Sequence, residues 1–455
     1  MWHMKMMYLN FGESIELTME ILNYIVLGVD ILLLVIFSWY YIAYFVNSFK
    51  KTEEIKLVNP KNKFAILIAA RNESGVIKNI LDSLRMQNYP KNLFDIYVIV
   101  EDELDPTVNI VNEYGHRFKV VVRKNIENRR TKGFALDDAI KFIKDQKKQY
   151  DAYLIFDADN LVSKNYLLYM NAIKEKGYQI GMGYRSFTNA TTNSVSMSSA
   201  ILFSFINGYT NKGKSDFFHK ISLTGTGYFI DSQIIDDAGG WIWNGMTEDV
   251  ELTYYAYKNH IKMKYYPLVS YFDEQPTDFR VLHNQHVRWV WGYFGDFKKK
   301  FSDFNFDYSL NESKKKKKYE KLEQKIGIYP FLIFVMLELI MFIVDFSLAI
   351  TCLFSQVENF ITINAFVFAT YHLFIAFITF VLLAIYTILI DHKKLNFGFK
   401  NYIKVILVYP FFFLDFLLAF FDGLIHKKKR TNWKHIHHDG KIVDQQALFS
   451  QGGKN

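Results

Sequence analysis

Four long apolar runs constrain the fold more than any other feature of this sequence. They cover residues 22–46, 328–354, 361–390 and 402–425. A helix of about 20 apolar residues is enough to cross the hydrocarbon core of a bilayer, so each run qualifies by length. The polar stretch between the first two runs is long enough for a separate globular domain. We therefore expect a water-soluble domain attached to several membrane-embedded segments.

The distribution of basic residues predicts which side of the membrane carries the globular domain. Lys50 and Lys51 directly follow the first apolar run, and the cytoplasmic flanks of membrane helices are enriched in such residues. The formal net charge of +8 has the same explanation, together with attraction to anionic lipid headgroups. Because this charge lies beside apolar runs, nucleic acid is not an expected partner. The sequence thus predicts a multi-pass protein of the cell membrane whose globular domain is cytoplasmic.

The cysteine content and the N-terminus agree with that placement. The chain has one cysteine, Cys352, so an intrachain disulfide and a zinc site of the paired-cysteine type are excluded. A single cysteine inside an apolar run fits a catalytic part in a reducing compartment. The first apolar run is too long for a signal-peptide core and lacks a small-residue cleavage site, so we interpret it as a retained anchor.

The last apolar run does not fit a simple count of membrane crossings. If all three C-terminal runs cross once, the basic segment that starts at His426 ends outside the cell, against the charge rule. Pro410, Asp415 and Asp422 favour a bent, re-entrant or interfacial segment instead, and the sequence leaves the choice open. In the second run, Glu338 and Asp345 are seven residues apart on one helix face. They either line a path for a polar chain or pair with basic side chains.

Strand and helix patterns alternate through the polar middle of the chain. Predicted strands cover 64–70, 95–100, 119–123 and 152–156, and predicted helices cover 76–86 and 135–142. This alternation is typical of an α/β domain with a parallel sheet covered by helices. Ligands bind beyond the carboxyl ends of the strands in such sheets, which is where Asp102 and Asp157 are expected.

Asp157 and Asp159 form a D-x-D pair directly after a predicted strand. Carboxylate oxygens at this spacing can hold Mg²⁺ or Mn²⁺, which prefer oxygen ligands. A strand-end turn is the alternative interpretation, since aspartate is common in turns.

A second acidic cluster, Thr247-Glu248-Asp249, precedes a helical pattern over 250–258. Either carboxylate can act as a general base, and Asp249 is the better candidate. The same residues can also serve as a helix N-terminus, where acids are stabilised. The two roles are compatible, because a helix start holds a carboxylate in a defined place.

A third cluster runs from Gln285 to Trp289. Gln285, Arg288 and Trp289 share one face of a helix. Arg288 can bind phosphate oxygens with two parallel hydrogen bonds, and Trp289 offers an aromatic face to a ring-shaped ligand. An interfacial helix that Arg and Trp anchor at lipid headgroups is the alternative.

Smaller cues accompany these clusters. Ala70, Arg71 and Glu73 follow the first strand, and Lys132 stands at the start of a predicted helix, where phosphates are readily bound. Gly225-Thr226-Gly227 predicts a turn. The sequence carries no Walker motif and no dinucleotide fingerprint in a βαβ context.

In order and spacing, residues 62–295 resemble the membrane-bound enzymes of glycosyltransferase family 2, which include hyaluronan, cellulose and poly-N-acetylglucosamine synthases. The T-E-D and Q-x-x-R-W motifs carry the resemblance most specifically, and A-R-N-E and D-x-D support it. The resemblance implies a GT-A fold, which is a Rossmann-like mixed sheet, with a UDP-sugar donor and Mg²⁺ or Mn²⁺. It also implies inversion at the anomeric carbon and therefore a β-linked product.

The resemblance also implies roles for individual residues. Asp102 would bind the nucleotide base, and Asp157 and Asp159 the diphosphate and the metal. Asp249, with Glu248 beside it, would be the catalytic base. The remaining expected donor ligands are Ala70, Arg71, Glu73 and Lys132, and the expected acceptor and diphosphate ligands are Gln285, Arg288 and Trp289.

Two modes of transfer remain open at this point. The first is processive extension of a polysaccharide with coupled export. The second is addition of one sugar to a lipid or lipid-linked acceptor, because Gly225–Gly227 also resembles relatives of that kind and only one apolar run precedes the domain. A non-catalytic receptor is disfavoured, since the expected catalytic carboxylates and Arg288 are all present. The sequence identifies neither the sugar nor an accessory subunit.

These observations predict five segments. They are an N-terminal transmembrane anchor (1–50), a cytoplasmic GT-A domain (51–275), amphipathic interfacial helices with the Q-x-x-R-W motif (276–327), C-terminal transmembrane or re-entrant helices (328–427) and a cytoplasmic tail (428–455). The basic run 314–318 fits either an interfacial helix or a solvated linker.

Overall fold

The computed structural model describes residues 45–302 apart from Asn125, 340–350 apart from Leu348, and 359–427, with isolated residues between 14 and 42. The chain forms two compact units, 1–45 with 312–386 and 46–311 with 387–455. Most of the predicted anchor, Glu338, most of the run 328–354, the lysine run 314–318 and the tail 428–455 lie outside the described residues. Predictions for those segments therefore stay predictions.

The larger unit is built on one sheet of eight strands. The strands are β1 (Phe64–Ala69), β2 (Phe94–Val100), β3 (Phe118–Val122), β4 (Ala152–Asp157), β5 (Leu161–Val162), β6 (Ile180–Phe187), β7 (Tyr228–Asp231) and β8 (Met263–Asp273). Their order across the sheet is β3-β2-β1-β4-β7-β6-β8-β5. The strands β1, β2 and β4 are apolar and buried along nearly their whole length, as is usual where both faces of a sheet are covered.

The sheet is mixed rather than parallel throughout. β1 runs parallel to both β2 and β4, with Ala69 opposite Asp157, and β2 runs parallel to β3. β7 pairs antiparallel with β4 and with β6, whereas β6 and β8 are parallel to each other. The expectation of a parallel sheet is correct for the first four strands, and the mixed sheet implied by the family resemblance is confirmed for the whole. β7 starts beside the carboxyl end of β4, where Tyr228 pairs with Ile155, and therefore runs antiparallel to β4.

Nine helices of this unit surround the sheet in the described residues. They are α1 (Ile77–Arg85), α2 (Thr107–Asn112), α3 (Lys132–Asp145), α4 (Tyr166–Glu175), α5 (Ser194–Phe205), α6 (Gly213–Phe218), α7 (Ser232–Asp237), α8 (Glu248–Lys258) and α9 (Phe279–Ser302). A π-helical segment (Ile206–Lys212) joins α5 to α6. The predicted strands and helices are all present, and their ends differ by up to three residues. Helix α3 is longer than its apolar pattern because Thr131 caps it three residues earlier.

Two further helices, α10 (Asn359–Leu395) and α11 (Phe399–Ile425), follow in the C-terminal part. Among the described residues, two helical stretches are long and apolar enough to cross a membrane, Phe366–Leu395 and Phe399–Ile425. Helix α11 continues through Pro410 and packs on α9 and α5. In the smaller unit, Asp345 Oδ2 lies 3.6 Å from His372 Nε2. The two interpretations of this carboxylate stay predictions.

Candidate active site

The D-x-D pair stands at the carboxyl end of β4. Asp157 is the last residue of that strand, and its backbone N–H donates to Thr226 Oγ1 at 3.0 Å and to Asn160 Oδ1 at 3.2 Å. Ala158 is buried, whereas Asp157 and Asp159 are half-buried. The hydrogen bonds of Asp157 fit the turn interpretation, and the ligand interpretation stays a prediction.

Lys132 reaches into this edge from the first turn of α3. Its Nζ pairs with Asp157 and donates to the carbonyl oxygen of Gly225 at 2.8 Å. Burial lowers the pKa of Lys132, but the charges of Asp157, Glu248 and Asp249 outweigh that effect and raise it above its ordinary value. The site therefore holds a cation that is paired with Asp157 and is influenced by the charges of Glu248 and Asp249.

The loop Gly225–Gly227 closes one side of the site. Both glycines have positive φ angles, +83° and +68°, which other L-residues rarely adopt. A Cβ at Gly227 would overlap the Tyr271 ring, and one at Gly225 would lie 3.8 Å from Asp249 Oδ2. Thr226 between them is fully buried and bonds to the backbone of Asp157. The loop thus links the D-x-D pair to the second acidic cluster.

Glu248 and Asp249 open helix α8, with Thr247 as the N-cap residue. Burial raises the pKa of Asp249 to about 6, although Val250 N–H, which donates to its Oδ1 at 2.9 Å, and Lys132 oppose the rise. Burial and the neighbouring charge of Asp249 raise the pKa of Glu248 to about 8. At neutral pH this favours an ionised Asp249 beside a protonated Glu248. The two adjacent carboxyl groups thus have different charges at the same pH, so one can act as a base while the other stays neutral.

Helix α9 brings the third cluster to the same region. It passes so close to the start of α8 that a Cβ at Gly292 would lie 2.6 Å from Thr247 Cγ2. Arg288 is close enough to Glu248 for the carboxylate to counteract the burial that lowers the pKa of the guanidinium. Trp289 packs edge-on against Phe203 at 6.1 Å between ring centroids. These contacts place the Q-x-x-R-W segment of α9 next to the T-E-D segment at the start of α8.

A buried network supports the D-x-D loop from below, and sequence patterns gave no sign of it. Arg185 forms an ion pair with Asp273 and donates to the carbonyl oxygen of Thr224 at 2.9 Å. Asp273 in turn accepts from Asn160 Nδ2 at 3.1 Å and from Gln275 Nε2 at 2.8 Å. The two residues lie on β6 and β8, so only the pairing of those strands brings them together.

The expected nucleotide ligands near the end of β1 make contacts within the protein. Ala70 continues the strand through a hydrogen bond to Ile99 O at 2.8 Å, and Arg71 Nε lies 3.0 Å from Glu101 Oε2. Glu73 is buried, and its backbone N–H donates to Thr107 Oγ1 at 3.1 Å. Ala70 and Glu73 therefore act at least as structural residues of this loop.

Asp102 lies two residues beyond the end of β2. It is exposed, and its Oδ1 accepts from the backbone N–H of Leu104 at 2.9 Å. Its neighbour Glu101 is mostly buried and lies between Arg71 and Arg123, which is 3.6 Å away. The structure thus places a second carboxylate, missed by sequence reasoning, closer to the loop that follows β1.

The D-x-D pair offers carboxylate oxygens, which are the type of ligand that Mg²⁺ and Mn²⁺ prefer. Mg²⁺ in proteins is commonly held by one or two carboxylates together with phosphate oxygens of the substrate. Within the described residues, no group of three or more His, Cys, Asp or Glu side chains is arranged to hold a metal by itself. Asp157 and Asp159 stay the predicted metal ligands.

Comparison with known proteins agrees with this arrangement. The family model described as "Glycosyltransferase like family 2" matches residues 60–292. The chain is 27% identical over 242 residues to a probable glycosyltransferase, YdaM, of Bacillus subtilis (strain 168), covering 50% of this chain and 55% of the relative. It is 25% identical to a beta-monoglucosyldiacylglycerol synthase of Nostoc sp., covering 50% and 48%. It is 24% identical to a poly-beta-1,6-N-acetyl-D-glucosamine synthase of Staphylococcus epidermidis, covering 55% and 60%.

The chain spans about half the length of these curated relatives. Among solved structures, it resembles mannosyltransferase PcManGT from Pyrobaculum calidifontis in complex with GDP-Man and Mn²⁺. The TM-score is 0.51 at 13% identity, over 90% of this chain and 99% of that chain. This likeness establishes the fold, a GT-A domain with a mixed sheet, which confirms the predicted fold class. Since the family model covers just over half of the sequence, including all three acidic and basic clusters, the chain belongs to glycosyltransferase family 2.

Proposed function

We propose that this protein transfers a sugar from a UDP-sugar to a hydroxyl group with inversion, and that the acceptor is the end of a growing β-linked polysaccharide. The reaction takes place at the cytoplasmic face of the cell membrane, with coupled export of the chain. One observation carries the proposal. Asp249, a half-buried carboxylate with a raised pKa, lies close to Lys132, a half-buried cation that is paired with the strand-end carboxylate Asp157.

The donor side of this arrangement suits a diphosphate leaving group. Lys132 and Arg288 supply positive charge near the carboxylates of α8. Helix α3 begins at Lys132, so its N-terminus lies at the edge of the sheet where β4 ends. Fixed cations stabilise the charge that develops on the departing diphosphate. Asp157 and Asp159 would hold Mg²⁺ or Mn²⁺, which supplies further neutralisation of that charge when bound. We assign Arg71 and Asp102 to the nucleotide, with Asp102 at the base.

The acceptor side requires removal of one proton. As the acceptor hydroxyl oxygen bonds to the anomeric carbon, the bond from that carbon to the diphosphate oxygen breaks and UDP leaves. The hydroxyl proton passes to Asp249, whose raised pKa makes it a base matched to neutral pH. Glu248, protonated under the same conditions, adds no second negative charge next to the incoming donor. Gln285 and Trp289 would orient the acceptor from α9.

A second candidate function is transfer of a single sugar to a lipid acceptor. The relatives support both candidates, since one is named for a polysaccharide and another for a glycolipid. The exposed apolar face of α11, which includes Phe399, Ile403, Leu407 and Phe411, specifically favours access for lipid near α9. The catalytic residues are the same in either case, so product length distinguishes the candidates.

For the membrane arrangement, we propose that α11 lies flat on the bilayer instead of crossing it. Its inner face is buried between Val405 and Gly423, where α11 packs on α9 and α5, and its outer face is apolar with Lys400 and Lys404 at one end. A helix with one face on the protein and one apolar face free is suited to lie in the membrane interface. The basic segment after His426 then stays in the cytoplasm, as the charge rule requires.

Nitroxide labels at Ile403, Leu407, Phe411 and Leu418 test this arrangement. A flat helix places all four at a similar depth, since they share the outer face, whereas a spanning helix gives a steady change of depth from the first to the last. A steady gradient would overturn the proposal.

The function itself is tested with detergent-purified protein and a panel of UDP-sugars, with Mg²⁺, with Mn²⁺ and with EDTA. UDP release and labelled product are measured beside Asp249→Asn. High-molecular-weight product from one donor, lost in the variant and with EDTA, is the expected result. A short lipid-extractable product would favour the second candidate. UDP release that is unaffected by Asp249→Asn would contradict the assignment of the base.

A further inference from the structure

Helix α9 is held between two partners on roughly opposite sides. Successive residues of a helix turn by about 100°, so Gln285, Arg288 and Gly292 fall on one side and His283, His286 and Trp291 on the other. The first side meets the start of α8, where Gly292 contacts Thr247. The second side meets α11, where Trp291 Nε1 donates to the carbonyl oxygen of Phe420 at 3.2 Å. The rotation of α9 therefore decides both contacts at once.

One carboxylate of α11 binds both histidines of that second side. Asp415 Oδ1 lies 2.6 Å from His283 Nδ1, and Asp415 Oδ2 lies 2.7 Å from His286 Nδ1. Asp422, two turns further along α11, binds the other nitrogen of His283 at 3.1 Å and also pairs with His426. Asp415 is thus the residue that connects two positions of α9 to one point on α11.

The burial of this cluster makes the contact selective for one rotation of the helix. Asp415 is 1% exposed and His286 is fully buried, with its ring stacked on Phe416 at 3.8 Å between centroids. In the part of the chain that the structure describes, no hydrogen-bond partner faces His286 Nε2, so Nδ1 makes the only such bond of that ring. A buried carboxylate without its partner is strongly unfavourable. A one-residue rotation of α9 would break both bonds to Asp415.

We propose that Asp415 is a positioning residue for sugar transfer: through His283 and His286 it fixes the rotation of α9, and with it the placement of Gln285 and Arg288 beside the carboxylates of α8. The inference rests on the proposed function and adds to it a residue on an apolar helix, outside the segment that the family model covers. Asp415 touches neither donor nor acceptor in this account.

The proposal predicts a particular kinetic signature. Lys132 and Asp157, which we place at the donor diphosphate, are held by α3 and β4. Arg288 on α9 acts on the charge that develops as the diphosphate leaves, so the rotation of α9 should affect the transfer step more than donor binding. Asp415→Leu should therefore lower kcat for transfer by at least about tenfold, since a misplacement of about 1 Å can cost as much as 10²-fold. KM for the UDP-sugar should stay within about threefold of the wild type, because uniform donor binding is retained. A merely structural loss would lower the folded fraction and leave both constants of the folded protein unchanged.

The experiment compares the full-length protein with Asp415→Leu, Asp415→Asn and the matched control Asp422→Asn, each after size-exclusion chromatography. Asp415→Asn keeps the shape and can serve one histidine through its oxygen and the other through its amide, so we expect partial recovery of kcat. Asp422→Asn leaves the bond to His286 intact and should retain most activity. Asp415→Leu with wild-type kcat, or an equal loss in Asp422→Asn, would overturn the proposal.

Two further comparisons keep the outcome unambiguous. If Asp415→Leu does not fold, the isosteric Asp415→Asn decides, and an unchanged kcat in that variant would overturn the proposal. Wild type and Asp249→Asn are measured in parallel. Absence of transfer in the wild type would contradict the proposed function, whereas an active wild type, an inactive Asp249→Asn and fully active Asp415 variants would contradict the positioning role alone.

Discussion

The ammonium group of Lys132 pairs with the carboxylate of Asp157 and, on its other side, donates to the carbonyl oxygen of Gly225 at 2.8 Å. Lys132 opens α3 and Asp157 ends β4, so the ion pair joins two elements at the edge of the sheet where ligands of such folds bind. A diphosphate that enters this edge therefore meets a cation already in place.

Replacing this cation should affect the chemical step. Lys132→Met should lower the rate of UDP release by roughly 10²–10³-fold, because a preorganised charge next to the leaving group is removed. Lys144→Met, near the other end of α3, breaks a surface ion pair with Asp236 of α7 and is the matched control that should stay near wild type. Steady-state kinetics with the preferred donor measure both. A Lys132→Met variant that stays within a few-fold of wild type would exclude this role.

The pH dependence of transfer should follow the two carboxylates of α8. kcat/KM should rise with pH as Asp249, with its pKa of about 6, loses its proton and becomes a base. It should fall again as Glu248, with its pKa of about 8, ionises and places a second negative charge in the donor site. Glu248→Gln should keep the rising limb and remove the falling one. A profile with both limbs intact in Glu248→Gln would contradict this assignment.

The same carboxylates should influence stability with a defined sign. Folding raises the pKa of Glu248, so the folded state binds this proton more tightly than the unfolded chain does. The resulting stabilisation is complete below the ordinary glutamate range and is lost as pH rises through about 8. Glu248→Gln should therefore gain stability relative to wild type at alkaline pH, on the order of 1–3 kcal/mol. Thermal unfolding at acidic and alkaline pH measures the gain, with exposed Glu103→Gln as the control.

The two glycines beside the site form a matched pair for a steric test. Both have positive φ, so alanine at either position carries a backbone penalty of about 1–2 kcal/mol. Only at Gly227 does the added methyl group also overlap the Tyr271 ring. Overpacking of this kind adds about 1–3 kcal/mol. Gly227→Ala should thus be clearly less stable than Gly225→Ala in denaturant unfolding, and equal stability of the two would show that the ring moves aside freely.

The buried ion pair below the D-x-D loop should behave as a coupled unit. Arg185→Met leaves Asp273 buried without its guanidinium and should destabilise the protein by about 3–5 kcal/mol. Adding Asp273→Leu should recover much of this loss, because two apolar side chains replace a lone charge. A double-mutant cycle of unfolding free energies gives the coupling directly. Strict additivity of the two changes would argue against the network.

The local sequence determined most elements of the catalytic domain. Apolar runs of strand length end at Ala69, Val100 and Asp157, and the acids at 248 and 249 begin a helix, as their order along the chain predicted. These features depend on contacts between near neighbours, so a pattern of a few residues is enough. The resemblance carried by the three clusters predicted the family and, through it, the GT-A fold.

Tertiary structure decided what the clusters do together. The pairing of Lys132 with Asp157, of Arg185 with Asp273 and of Asp415 with two histidines joins residues far apart in sequence, and no local pattern encodes such contacts. Asp415 is the clearest case. In the sequence it is a carboxylate that interrupts an apolar run and hints at a bend, whereas in the fold the run continues as one helix and the carboxylate binds His283 and His286. The sequence by itself determined which residues are available, and burial in the folded chain decided their partners and their charges, because a charged group removed from water is stable only next to its counterpart.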